Sequence, residues 1–432
     1  MNKLLASELG FLGINVDSNF DLAWLKTEVA DKIREGDQTS IYKLINFARH
    51  SESQEIRDYA NIIAKLYEDK VEAYGNIDVA KKESEPEKEY EKKAETAEEV
   101  ENAISEAIEA GEDIELEITS SIDLTSGTLT SINIPDGTNA DIKLDKDVTI
   151  TCTKEGFKVG KGSTLTLSGE GTIVATTKNA NGAITADSAE VILDGVTIDG
   201  VTGKEDATDN WVYGVYAKNG STVEFKSGSI HVGGASCIST NNTTGGSTIN
   251  VSGGELLADY GYAIYMPAQG EVNITGGKVQ GVHARMGTVN ISGNAEILPV
   301  GFNADNCADL GSNINTSGSV ELGDTIVVIA GTYNDPNGVD TEVNVAGNAK
   351  VTSNFRAAIG VYAFDTKEKS NVSINVENAS NVTTTDEAFD AIKVYDHAYI
   401  DAAATASGKI YTPKVDSDIT VTVAGEQVYP VA

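Results

Sequence analysis

The chain has 432 residues, with 32 Lys and Arg against 66 Asp and Glu and a formal net charge of −34. A surface this acidic repels nucleic-acid backbones and anionic membranes, so neither is an expected partner. No apolar run is long enough to span a bilayer, and 42 Gly against 7 Pro point to many tight turns.

The opening run through Leu4, Leu5, Leu9, Phe11, Leu12 and Ile14 is broken by Glu8 and is followed by no small-residue cleavage site. It therefore does not read as a signal peptide, and a chain made in a reducing cytoplasm is expected. Residues 18–75 carry helical spacing. Leu22, Leu25, Val29 and Ile33 form one stripe, with Trp24 beside it. Ile41, Leu44, Ile45 and Phe47 follow Ser40, and Ile56, Tyr59, Ile63, Leu66, Tyr67 and Val71 form a third. Residues 1–75 thus read as a small helical domain near the lower size limit for independent stability, either a self-contained cap or a module that docks on a partner. Residues 76–95 mix both charge signs densely and read as a linker or a solvated helix.

Thr96-Ala97-Glu98-Glu99 is a capping box, Val100, Ile104 and Ile108 recur every four residues, and Gly111 stops the helix. The helix over 96–111 runs directly into the alternating strand IELEI, Ile114 to Ile118. Such a helix covers the open end of a solenoid, whose first coil otherwise exposes core and strand edges.

Beyond it the chain repeats. STVEFKSGSI, STINVSGGEL, GEVNITGGKV and GTVNISGNAEI each place two apolar residues at alternate positions, then Gly, then another aliphatic residue. Alternation of period two means strand, and the Gly marks a bend. The first apolar positions fall at 148, 165, 191, 223, 249, 272, 289, 320, 343 and 374, about 25 residues per rung. Second strands lie between them, in GVYAKNG from Gly214, SCISTNN from Ser236, YAIYMPAQG from Tyr262, GVHARMG from Gly281 and GVYAFD from Gly360. The expected fold is mainly β: a right-handed parallel β-helix, a single-stranded solenoid, over 112–412, with the small α-helical domain before it. The hand follows the general rule for parallel connections. Its inside is expected to be a column of Val, Ile, Leu and Ala. Residues 413–432 read as a last coil, or as a terminal strand that pairs with a neighbouring subunit.

Little here points to chemistry. Cys152, Cys237 and Cys307 are odd in number and lack disulfide or metal-ligand spacing, so they read as small buried side chains. Two carboxylate groups stand out. Asp194, Asp199, Asp206 and Asp209 gather near Trp211, and Asp386, Glu387, Asp390 and Asp396 near His397. A glycosidase needs two carboxyls roughly 5–9.5 Å apart, one with a raised pKa. A lyase needs cations beside a uronate, and the β region holds only Arg285 and Arg356 as arginines. Asp-rich turns are also the ordinary way to solvate a solenoid. No catalytic, cofactor-binding or metal-binding residue is assigned, and an enzyme is not expected. His283 and Arg285 share a strand face and read as a surface ladder or subunit contact, with a ligand contact as the alternative. Trp211, Tyr213, Tyr216, Tyr260, Tyr262 and Tyr265 would stack on sugar rings if exposed and fill an interface if buried.

The stretch YGYAIYMPAQGEVNITGGKVQGVHARMGTVNISG, with the entry from Thr96 to Ile118, resembles the Gly-rich β-helix modules of surface and phage proteins of gut bacteria. A helical N-terminal segment, a charged linker, a β-helix shaft and no export signal resemble a tailed-phage virion protein of the head-fibre or capsid-decoration type. The resemblance implies a homotrimeric structural protein of the virion, made in the host cytoplasm. It would be anchored through residues 1–75 on the major capsid protein or another virion protein, and in contact with host or mucosal glycans. The alternative it leaves open is a polysaccharide-binding or polysaccharide-degrading tailspike or adhesin. No site residue carries over from the resemblance.

Overall fold

The computed structural model describes residues 90–429, apart from 128, 154, 176–181, 201–212, 234–235, 241–244, 260, 301–323, 331–339, 355, 364–370, 389 and 399–418. All belong to the unit Tyr90–Ala432. The helical pattern over 18–75 lies outside the described residues.

The alternating lines become three parallel ladders. Two of them run together as a 21-stranded sheet, and the third is a 10-stranded sheet. In the first ladder one inward column passes through Ile114, Ala140, Leu165, Val191, Val223, Ile249, Val272, Val289, Val343, Ile374 and Val421, each paired with the next. The second ladder stacks Ile122, Ile150, Ile173, Ile198, Ile230, Leu256, Val279, Ile297, Val351 and Val382. The third stacks Ile132, Phe157, Ile184, Val215, Ile238, Ile264, Val282, Ile326, Ile359 and Ile392. Successive rungs of one chain, paired in parallel and in register, are the arrangement of a β-solenoid. Nearly every inward residue is fully buried, and each aliphatic side chain so removed from water contributes about 1.5–3 kcal/mol.

The core is less uniform than a Val and Ile column. Phe157, Phe225 and Tyr262 are among its largest fully buried side chains. Gly254, on the next coil, makes room for Phe225: a Cβ there would meet the Phe225 ring at 2.7 Å. The corner between the first two ladders is also glycine-dependent. Gly169 and Gly195 take φ of 94° and 100°, and a Cβ on Gly195 would lie 2.6 Å from the Gly169 carbonyl oxygen.

One rung expected from alternation differs. Val148 is buried but precedes the second-ladder strand Thr149–Cys152, and Ala140 holds its coil's place in the first column. The rung expected at Val320 lies outside the described residues; in the first ladder Val289 pairs with Val343. Alternation identifies a strand without saying which side of the coil it builds. First-column spacing therefore runs from the short step between Val272 and Val289 to the long one between Val289 and Val343.

Outside the first ladder, Asn250, Asn273, Asn290, Asn344 and Asn375 stack in one row. Each later Nδ2 donates to the preceding Oδ1 at 2.9 Å.

At the N-terminal end, Thr96 and Glu99 form the expected reciprocal cap of the helix Ala97–Ala110. Gly111 ends it in the left-handed region, φ 71°. The buried face is Val100, Ile104 and Ala107, while Ile108 is 45% exposed. Eight residues at 3.6 per turn leave Ile108 about 80° round from Val100, so a strict four-residue repeat drifts off the core. Residues 90–94, within the expected linker, already belong to this cap. Lys93–Ala94 pairs in parallel with Glu117–Ile118, Tyr90 is buried, and its hydroxyl donates to Asp141 at 2.9 Å.

At the other end Ile419–Val423 stacks in register on Val372–Val376 as a last rung. Ala424 and Gly425, both at positive φ, then make a two-residue turn. The strand Glu426–Tyr429 returns antiparallel along the same chain.

Candidate functional site

The outward face of the third ladder gathers the most varied side chains. Its central outward column reads Asn133, Lys158, Thr185, Tyr216, Ser239, Tyr265, His283, Val327, Gly360 and Lys393. Period two places these residues outside, because their neighbours on either side form the inward column.

The early part of the column opens into a groove of about 450 Å³ lined by Asn133, Glu155, Lys158, Thr185, Asp187 and Lys218, among others. Its charges are arranged as pairs. Lys158 Nζ lies 2.8 Å from Glu155, and the Thr185 hydroxyl donates to the same carboxylate at 2.9 Å. Lys218 Nζ lies 3.5 Å from Asp187, which also accepts from the Asn219 amide at 2.6 Å. At the groove's edge the Lys218 ammonium sits 5.9 Å from the Tyr216 ring centroid. Tyr216 stacks on Tyr213 with centroids 5.2 Å apart. Both rings are half-buried. Burial pushes both phenols up from the usual tyrosine range, that of Tyr213 strongly, with Tyr265 and Tyr216 adding and Ser239 opposing. They remain protonated, neutral hydroxyls across the physiological range.

The later part of the column is closed. His283 and Arg285 are 0% and 4% exposed, so they are neither a surface ladder nor an exposed subunit contact. The His283 ring meets the edges of Tyr262 and Tyr265, at 5.4 and 5.1 Å between centroids, and the Arg285 guanidinium lies 5.7 Å over Tyr265. Tyr262 is fully buried within its own chain and donates to the Asp324 carbonyl at 3.2 Å. The buried Asp324 carboxylate accepts the Ala357 N–H at 2.9 Å and lies 3.9 Å from Arg356 Nε. It also fills the space that a Cβ on Gly360 would take.

The described members of the carboxylate clusters do not converge here. Asp194 and Asp199 lie in the long strand Glu190–Asp199, on either side of the Gly195 corner. Asp194 accepts from Ser227 at 2.6 Å. Asp386 organises its own turn by accepting the Ala388 N–H at 3.0 Å, with Glu387 and Asp390 exposed nearby. Asp206, Asp209, Trp211, Tyr260 and Cys307 lie outside the described residues, as do the side chains of Asp396 and His397. Cys152 and Cys237 are buried as expected. Burial pushes the Cys152 thiol up to about 12, and Cys237 donates toward the carbonyls of Ile230 and Leu257. Among the described residues no three His, Cys, Asp or Glu side chains are grouped to hold a metal ion. Nor is any helix among them long and apolar enough to cross a membrane.

Sequence reasoning reached none of the residues that line the groove, only Tyr213 and Tyr216 beside it. Asn133, Lys158, Thr185 and Lys218 come from the short strands INI, FKV, ITAD and VYAK, each on a separate coil. The signal was there: aligning the second set of strands, in the manner of the Gly lines, puts them in one row. Comparison with protein-family models, curated proteins and solved structures finds no match to this chain.

Proposed function

We propose that this chain is a structural rod of a tailed-phage virion, of the head-fibre or capsid-decoration type. In this reading residues 1–75 dock on the capsid or another virion protein, and a right-handed β-helix, assembled as a homotrimer, reaches outward. The observation that carries the reading is the unbroken inward column from Ile114 to Val421, which fills the interior rung after rung. A solenoid of this kind is stabilised coil by coil and serves as a spacer without any buried reaction chamber. The acidic surface suits a rod displayed at high density, because like-charged neighbours do not stick.

The test is removal of residues 1–75. The remaining chain should stay folded, with the far-ultraviolet signature of strands, and should no longer join particles. Light scattering on the full chain should give three times the chain mass. A truncated protein that still assembles onto virions, or a monomeric full chain, would count against the reading.

A further inference from the structure

We propose that the groove on the third ladder is a binding site for a short run of a neutral polysaccharide. Three features select that chemistry. The first is charge. Lys158 is paired with Glu155 and Lys218 with Asp187, so the groove carries four charges that cancel, inside a chain of net −34. An anionic ligand would have to break an ion pair and also approach against the field of the whole molecule. A hydroxyl, which donates and accepts at once, can add to both pairs without breaking either.

The second feature is the aromatic edge. Tyr216, half-buried and stacked on Tyr213, offers a ring held in place by its neighbour. Fixed aromatic faces beside a few polar groups are what a sugar ring, with one apolar C–H face and a polar rim, is recognised by.

The third is spacing. Asn133, Lys158, Thr185 and Tyr216 stand on adjacent strands, hence about 4.8 Å apart and about 14 Å end to end, room for about three pyranose rings. A volume of about 450 Å³ lies within the ordinary range of small-ligand sites. The inference does not depend on the rod being mounted on a virion.

The experiment screens the full chain on a printed array of neutral di- to tetrasaccharides of hexoses and N-acetylhexosamines, with sialylated and uronic-acid-bearing counterparts beside them. The best neutral hit is then titrated by calorimetry. Tyr216→Ala should weaken binding by about tenfold or more. Asn133→Trp, at an exposed position, should block the groove and abolish binding. Asn273→Ala, on the outside of the first ladder, should bind as the parent does. Circular dichroism checks that each variant is folded. No binding on the neutral array, binding confined to acidic glycans, or unchanged affinity in folded Tyr216→Ala and Asn133→Trp would each overturn the proposal. Particle assembly of Tyr216→Ala should be normal, which separates failure of this site from failure of the virion reading.

Discussion

Glu117 shows how a single outward residue ties the cap to the coils. Its carboxylate is nearly buried and meets Lys93 of the cap strand and Lys143 of the next coil, at 2.5 and 2.9 Å. Hydrogen bonds to Lys93 and then Lys143 hold its pKa at about 2, below an ordinary 4.5. A depressed carboxylate pKa stabilises the folded state above the unfolded value, and that stability is lost as pH falls through 4.5 toward 2. Glu117→Gln should therefore cost about 1–3 kcal/mol near pH 7. In parallel thermal melts of variant and parent, the gap should narrow steadily below pH 4.5. A gap independent of pH would mean that packing, not charge, sets the loss. The residue was legible as an outward position of IELEI, but its partners were not. Lys93 precedes it by a whole coil and Lys143 follows it by another, and only the parallel pairing brings the three together.

The Asn row is the corresponding case for an element. In STINV, GEVNI, GTVNI, TEVNV and VSINV the Asn always stands between the two inward residues, so its outward placement is readable from the lines alone. That the five amides stack is not, because the steps between them are so unequal in sequence, short from Asn273 to Asn290 and long from Asn290 to Asn344. Asn290 donates to Asn273 and accepts from Asn344. Asn290→Ala removes both links and should destabilise by about 1–2 kcal/mol, seen as a lower denaturation midpoint with an unchanged slope. A midpoint equal to the parent's would show that water replaces the row at no cost. The second strands show where the same pattern stops being informative. Period two puts His283 on the outer face correctly, yet outward did not mean exposed, because alternation reports direction and not what lies over a residue.

For the molecule as a whole, the pitch of the stack is fixed while the length of each coil is free. The long first-column step between Val289 and Val343 leaves their pairing in register, since lengthening a connection adds little to the entropic cost of closing it. This is why a mean period was legible while the rung expected at 148 was misplaced. The net charge of −34 acts at the same scale. Like charges along the stacked coils oppose their compact state, and salt screens them. Raising sodium chloride from about 20 mM to about 0.5 M should lift the melting temperature by about 2–5 °C in scanning calorimetry. A fall would mean that local ion pairs outweigh the general repulsion. The return strand Glu426–Tyr429 carries a further consequence. A bare parallel rung is a seed on which another chain's rung can crystallise, and stacked solenoids run the hazard of growing into filaments. Here the rung Ile419–Val423 already has Glu426–Tyr429 running the opposite way along it, so a second molecule cannot continue this ladder in the same direction.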